Sequence, residues 1–372
     1  MGYLAYVCSN RKDDVGVPYA DHFFNISILD VESIIELIKN EDINYLVTGA
    51  SDLATLTLGK VNSLLGFSGI KEEQVINVTD KRKFLELQKE LELFHPFTYF
   101  IDSENDLKNL TTNNLRFPMI MKPYFSSGSC GVRIVKTLEE IFNFHSEVTE
   151  SSSQKKGYLL QEFLTDAVEY GCECFVEDGK LVFLELTHKF LNQNKVPIGH
   201  LVPNEIDEGI KNKLIKDVQK IIDRLKIKNS PINIDVLFDS YHKPFIIDLS
   251  FRLGGNCLPQ LMDLKYNLKP FDLVINNCLM IKNPEIPEPN NGFYGSIIFG
   301  ANSDGVLTEK LIAGIKNISD NAEKTIEFVL DVPIGGKFKK FTQGNYRFGH
   351  VILKTKNQEQ YKHILNEIYS II

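Results

Sequence analysis

Pro231-Ile232-Asn233-Ile234-Asp235-Val236-Leu237-Phe238, followed five residues later by Pro244-Phe245-Ile246-Ile247-Asp248-Leu249-Ser250-Phe251-Arg252-Leu253-Gly254-Gly255, decides how the rest of the chain is read. Each is a short apolar run with a carboxylate set inside it, the pattern of a buried strand. The intervening Asp239-Ser240-Tyr241-His242-Lys243 has the length and chemistry of a hairpin turn. Antiparallel pairing across it brings Asp235 and Asp248 together on one face. Two carboxylates side by side in an apolar setting repel and are poorly solvated. A hard divalent cation answers both problems, and Mg²⁺ takes one or two carboxylates plus phosphate oxygens. A single strand aspartate would read as an edge residue or a partner for Lys or Arg. Two of them, followed by Ser-x-Arg-x-Gly-Gly, point to a metal–nucleotide site with Arg252 beside it to meet negative charge.

The 372 residues suffice for two or three domains. A net charge of −8 without a basic block or stripe argues against a nucleic-acid binder. No apolar run approaches a membrane span, and the stretch before Ser9 is too short for the apolar part of a signal peptide. Cys8, Cys130, Cys172, Cys174, Cys257 and Cys278 show no zinc-type spacing with histidine and read as free thiols in a reducing cytoplasm.

The chain opens as alternating strands and helices, which predicts a parallel sheet with helical crossovers. Tyr3–Cys8 reads as a strand, and Asp30 caps a helix whose apolar face is Ile34, Ile35, Leu37 and Ile38. Ile43–Val47 reads as a short buried strand. A nucleotide fold of this class begins with a strand and a glycine-rich turn, and neither is present, so the first domain is expected to be shortened or to lack its first unit. A second capped helix follows Thr79-Asp80 and ends before Pro96. From Phe117 the pattern changes to short strands: Met119–Lys122, Val132–Val135, Tyr158–Gln161, Cys172–Glu177 and Leu181–Leu186. Together they predict a small α+β lobe. Beyond Thr187 come an amphipathic helix through Ile210, Leu214, Val218, Ile221, Ile222 and Leu225, then the two acidic strands. A mixed α/β tail closes with a helix over Gln358–Ile371.

Lys122 closes an apolar strand and needs an anionic partner. Next comes Ser126-Ser127-Gly128-Ser129-Cys130-Gly131, whose glycines and serines read either as a plain hairpin or as a phosphate-holding loop. It is not a P-loop, because the Gly-Lys-Ser/Thr ending is absent. Gln161-Glu162-Phe163-Leu164 forms the polar end of a strand, with Glu169 five residues on. Such an end can line an adenine and hold a ribose, or be a solvated turn.

Taken in order, these pieces resemble the ATP-grasp superfamily, most closely its carboxylate–amine ligase branch, over roughly residues 20 to 355. The segment Gly199-His200-Leu201-Val202-Pro203 is similar to one found in dipeptide-forming relatives. The resemblance implies an ATP-grasp fold of mixed α/β and α+β class: a shortened parallel-sheet domain over 1–78, a nucleotide-binding part over 79–186 with a lid at about 115–186, and a catalytic part with an antiparallel sheet over 187–372. It also implies ATP and Mg²⁺ (or Mn²⁺) as cofactors, with small-molecule carboxylate and amine substrates and a homodimer as a common assembly. By position, Lys81 resembles the first phosphate-touching lysine and Lys122 the second. Ser126, Ser127, Gly128, Ser129 and Gly131 would form the lid. Gln161, Glu162, Phe163 and Leu164 would line the adenine, and Glu169 would hold the ribose. Lys189 would face the γ-phosphate, and His200 would orient a substrate. Asp235, Asp248 and Ser250 would hold metal, and Arg252 would stabilise an acyl-phosphate. Two readings stand beside ligation: a nucleotide-binding module without turnover, and an enzyme that uses bicarbonate.

Overall fold

The computed structural model describes residues 2–110, 115–125, 131–151 and 157–372, with backbone alone over 146–151. Its N-terminal unit holds a two-stranded parallel sheet, β1 (Tyr6–Cys8) beside β2 (His22–Phe24). Four helices follow: α1 (Val31–Asn40), α2 (Asp52–Leu65), α3 (Glu72–Thr79) and α4 (Lys81–Glu90). Asp30, Ser51 and Asp80 cap α1, α2 and α4 by accepting first-turn N–H groups. Ile43–Val47 is not a strand: its residues are half-buried or exposed. The carbonyl of Leu46 accepts from the Cys278 thiol at 3.4 Å, and that of Gly49 from Leu253 N–H at 3.0 Å. Tyr3 and Leu4, also read as strand, are exposed ahead of β1.

A four-stranded antiparallel sheet comes next. Its strands are β3 (Thr98–Ile101), β4 (Met119–Pro123), β5 (Arg133–Val135) and β6 (Tyr158–Glu162), in the order β3-β6-β4-β5. Helices α5 (Glu104–Lys108) and α6 (Leu138–Ser151) belong to this lobe. Its own core includes Ile101, Met119, Met121, Val135, Ile141 and Leu160.

The large sheet is eight-stranded and antiparallel throughout. It begins with β7 (Val168–Glu177), β8 (Lys180–Leu191) and β9 (Pro197–Val202), then β10 (Ser230–Phe238) and β11 (Pro244–Ser250) after helix α7 (Glu208–Leu225). The segments Cys172–Glu177 and Leu181–Leu186, expected in the small lobe, are therefore strands of this sheet. The expected boundary at 186/187 cuts through β8. The two-residue turn Asp178-Gly179, with φ of 49° and 80°, makes β7 and β8 a tight hairpin. That hairpin looks local in sequence, but β10 claims its free edge. Helices α8 (Leu258–Tyr266) and α9 (Pro270–Cys278) lead to β12 (Phe293–Phe299). The tail supplies β13 (Gly305–Val306), α10 (Glu309–Ser319), β14 (Lys324–Leu330), β15 (Lys337–Phe338), β16 (Gly349–Thr355) and α11 (Gln358–Ile371).

Alternation along the strands separates core from pocket. Ile232, Ile234 and Val236 are fully buried against α7 and against Val75, Val78 and Phe84 of the N-terminal helices. Asn233, Asp235 and Leu237 face the other way and line a pocket.

Candidate active site

A cavity of about 930 Å³ is lined by both sheets and by the N-termini of α2 and α4. Asp235 and Asp248 stand directly opposite in the β10–β11 register, just ahead of a bulge. Their side chains keep 36% and 35% of their surface open, so both are available to a pocket ligand. Each meets a lysine. Lys189 Nζ lies 2.8 Å from Asp235 Oδ1 and 2.6 Å from Glu169 Oε1, while Lys81 Nζ lies 3.6 Å from Asp248 Oδ2. Burial opposes the charge on Lys189, but Asp235 and Glu169 outweigh it and raise its pKa. Burial also opposes the Asp235 carboxylate, yet Lys189 holds its pKa below the usual value. For Asp248, burial prevails over Lys81 and the pKa is raised.

Lys122 is 7% exposed, and its ammonium donates to Gln161 Oε1 at 2.9 Å. Gln161 in turn donates to Thr98 Oγ1 at 2.8 Å. Burial, and then the neighbouring Lys81, push Lys122 down to about 8. At the end of β6, Glu162, Phe163 and Leu164 line the pocket. Two N–H groups there are already used: Glu162 donates to Phe97 O at 2.9 Å and Phe163 to Pro118 O at 3.2 Å.

Arg252 is bidentate to Asp52, with Nε 2.6 Å from Oδ1 and Nη2 3.0 Å from Oδ2. Its Nη1 donates to Leu253 O at 2.8 Å and to Asn233 Oδ1 at 3.3 Å. Burial opposes the guanidinium charge, and Asp52 outweighs it. His200 is 2% exposed, and burial pushes it down to about 3, so it is neutral. Thr187 donates its hydroxyl to Gly171 O at 3.2 Å and accepts from His200 Nδ1 at 2.8 Å.

Of the residues expected from sequence, Lys81, Lys122, Gln161, Glu162, Phe163, Leu164, Glu169, Lys189, His200, Asp235, Asp248 and Arg252 all line this one cavity. Ser250 does not. It is 8% exposed and pairs with Asn233 across the hairpin, and Asn233 lines the pocket while Ser250 is buried outside the lining. Gly131 is exposed and outside the lining, and its φ of +71° suits glycine at a turn against Pro123. Ser126, Ser127, Gly128 and Ser129 lie outside the described residues. Asp52, Asn233 and Thr187 carried no assigned role from sequence. Asp52 is 200 positions from its partner, and Asn233 was legible only as the residue two before Asp235 on the same strand face.

Hard oxygen donors at Asp235 and Asp248 fit one divalent cation shared with phosphate oxygens. Among the described residues no group of three or more His, Cys, Asp or Glu forms, so these two carboxylates do not make an all-protein cage.

Residues 115–260 match the family model of the ATP-grasp domain. The carbamoyl phosphate synthase large chain of Thermotoga neapolitana is 26% identical over 237 residues, 61% of this chain and 21% of that one. The chain therefore spans about a fifth of the length of the curated relatives it matches. Among solved structures, the L-amino acid ligase from Bacillus licheniformis superposes with a TM-score of 0.81 at 16% identity, over 98% of this chain and 90% of that one. Phosphoribosylglycinamide synthetase from Anaerococcus prevotii gives 0.71 at 23% identity, over 95% and 88%. Identities this low speak to fold. This chain contains an ATP-grasp domain and has the ATP-grasp fold.

Proposed function

We propose that the protein is an ATP-dependent ligase that joins a carboxylate to an amine through an acyl-phosphate. One observation carries the reading: a carboxylate pair, three lysines and an anchored arginine converge on a single cavity between two sheets. The solved relatives with this fold include an L-amino acid ligase and a phosphoribosylglycinamide synthetase, which supports the reaction class.

Lys81 and Lys122 would hold the polyphosphate, and Glu162 to Leu164 would line the adenine. Lys189 would meet the γ-phosphate. Asp235 and Asp248 would hold Mg²⁺ or Mn²⁺, which when bound supplies charge neutralisation at the phosphates. An oxygen of the substrate carboxylate attacks the γ-phosphorus, the bond to the β-phosphate oxygen breaks, and ADP departs. The lysines and Arg252 offset the negative charge spread over the transferring group. The amine then attacks the acyl carbon, the bond to the phosphate oxygen breaks, and the amine proton leaves with phosphate. His200, neutral and tethered at Nδ1, acts as a hydrogen-bonding guide through Nε2 and not as a cation.

Measuring ADP release over amino acids and small acids with Mg²⁺ tests the reading. A carboxylate–amine pair should stimulate ADP release. Replacing Arg252 with Ala should cut turnover by about 100-fold or more while sparing ATP binding, as expected for a group that acts on the developing charge. ATP binding with no stimulated ADP release from any pair would make the chain a nucleotide-binding module instead.

A further inference from the structure

Strand β7 buries a carboxyl group that the proposed reaction does not use. Glu173 is 0% exposed. Its Oε1 accepts from Asn233 Nδ2 at 2.8 Å and lies against the Gly254 backbone, and its Oε2 has no hydrogen-bond partner. Burial pushes the group up to about 8, against Asn233, Arg252 and the Gly254 amide, so at neutral pH it is a neutral acid. A buried polar group with an unsatisfied oxygen costs stability, and an apolar side chain would fill the same space without that cost.

What the carboxyl does is visible one residue further on. Asn233 has a donor end and an acceptor end. Its Nδ2 is used by Glu173 Oε1 and by Cys172 O at 3.3 Å, which leaves Oδ1 for Arg252 Nη1 at 3.3 Å. Turned the other way, the amide would set its own N–H groups against the guanidinium. Gly254 completes the arrangement: a Cβ there would collide with Glu173 Oε1 and Asn233 Nδ2, so glycine lets the backbone lie against the pair. Asp52 holds the Nε–Nη2 edge of Arg252 from the N-terminal unit. The chain from Glu173 through Asn233 holds the Nη1 side from the large sheet, beside the bond from Nη1 to Leu253 O at 2.8 Å. Two anchors on different edges of a planar fork fix its plane as well as its position.

We propose that Glu173 is a positioning residue, which sets the orientation of Arg252 by locking the Asn233 amide and the Gly254 backbone. Its consequence for turnover rests on the ligase reading, but the orientation of the guanidinium does not.

The test compares Glu173→Ala, Glu173→Gln and Asn233→Ala in the full chain. The first readout is ¹⁵N NMR of the Arg252 guanidinium without ligand. Wild type and Glu173→Gln should both show a protected, slowly rotating Nη1 group, because glutamine supplies the same acceptor to Asn233 and Gly254. Glu173→Ala and Asn233→Ala should both lose it. The second readout is ADP release. Glu173→Ala should lower kcat by at least about tenfold with KM for ATP within about twofold, and Glu173→Gln should restore it. The double variant with Asn233→Ala should be no worse than Asn233→Ala alone, since both act through one amide. If Glu173→Ala does not fold, Glu173→Leu keeps the volume and removes the acceptor. A wild-type Nη1 signal in Glu173→Ala, or its loss in Glu173→Gln, overturns the proposal. A wild type that releases no ADP with any carboxylate sinks the ligase reading, while the NMR comparison still decides this one.

Discussion

Lys122 carries its charge in surroundings that oppose it. From sequence, a lysine closing an apolar strand called for an anion. The fold gives it a neutral partner, Gln161, and a second lysine nearby, with the Phe245 ring 5.7 Å away. Asp248 and Glu169 pull the pKa back only in part, because each is already matched to another lysine. In the proposed complex the polyphosphate of ATP would supply that anion. The sign of the linkage follows directly. At pH 8 the free protein holds Lys122 about half protonated, and phosphate oxygens favour the charged form, so its pKa rises on binding. Binding ATP at pH 8 should therefore take up about half a proton, falling toward zero near pH 6 where the lysine is already charged. Calorimetry in two buffers of different ionisation enthalpy measures this uptake. No uptake at pH 8, or the same uptake in Lys122→Gln, would show that another group titrates.

The β10–β11 hairpin was the most legible element because two independent patterns agreed on it: period-two alternation and a turn of the right length and chemistry. Its register puts Asp235 opposite Asp248 through the bulge beside Asp235, since unbroken pairing from Val236 and Ile246 would have set Asp235 against Ile247 and turned Asp248 to the other face. Ser250 lies outside the cavity lining although it shares the strand face of Asp248. The register from Asp235 and Asp248 to Asn233 and Ser250 is unbroken, and Phe245 and Ile247, on the turn side of the bulge, join Asp248 in the lining. Ile43–Val47 failed because a short apolar run is a strand only if a neighbour offers its edge, and that segment is held by the Ile43 N–H bond to Ile38 O and the Cys278 thiol on Leu46 O. The partners of Lys189 were equally out of reach, since Glu169 and Asp235 come from two other strands. That ion triad carries its own prediction. Lys189 is nearly buried while Asp235 and Glu169 keep 36% and 19% of their side-chain surface open, so Lys189→Met leaves two carboxylates that solvent screens only in part and should cost about 1–3 kcal/mol. Mg²⁺ without nucleotide should then raise the melting temperature of Lys189→Met more than that of wild type, because the ion replaces the lost ammonium at Asp235. Thermal melts with and without Mg²⁺ decide it, and equal shifts would mean that Asp235 does not meet the ion.

Three units meet at one cavity, and the sequence divided them in the wrong places. Ile70, Val75, Val78 and Phe84 of the N-terminal unit share a core with α7 and the large sheet, so a boundary at 78 crosses continuous packing. Composition does not shift there, because both sides of a shared core need the same apolar residues. The same packing explains how a helix start 200 positions away reaches Arg252. Ser51 caps α2, and Asp52 at its first position meets the guanidinium through both oxygens. Close by, Gly49 O accepts from Leu253 N–H at 3.0 Å, which fixes the separation between the two segments. The N-terminal unit thus contributes an anchor for Arg252, and the anchor can be weakened without disturbing the helix. In Asp52→Asn the Ser51 cap remains and one hydrogen bond to the guanidinium can persist, but the charge that offsets Arg252 is gone. ATP, which meets Lys81, Lys122 and the β6 end in the proposed complex, should bind as before. Turnover should fall between about 10- and 100-fold, because a misplaced guanidinium meets the transferring phosphoryl group off its productive position. Steady-state kinetics with ATP titration separates the two effects. A rise in KM for ATP at unchanged kcat would assign Asp52 to nucleotide binding and leave Arg252 oriented by the large sheet alone.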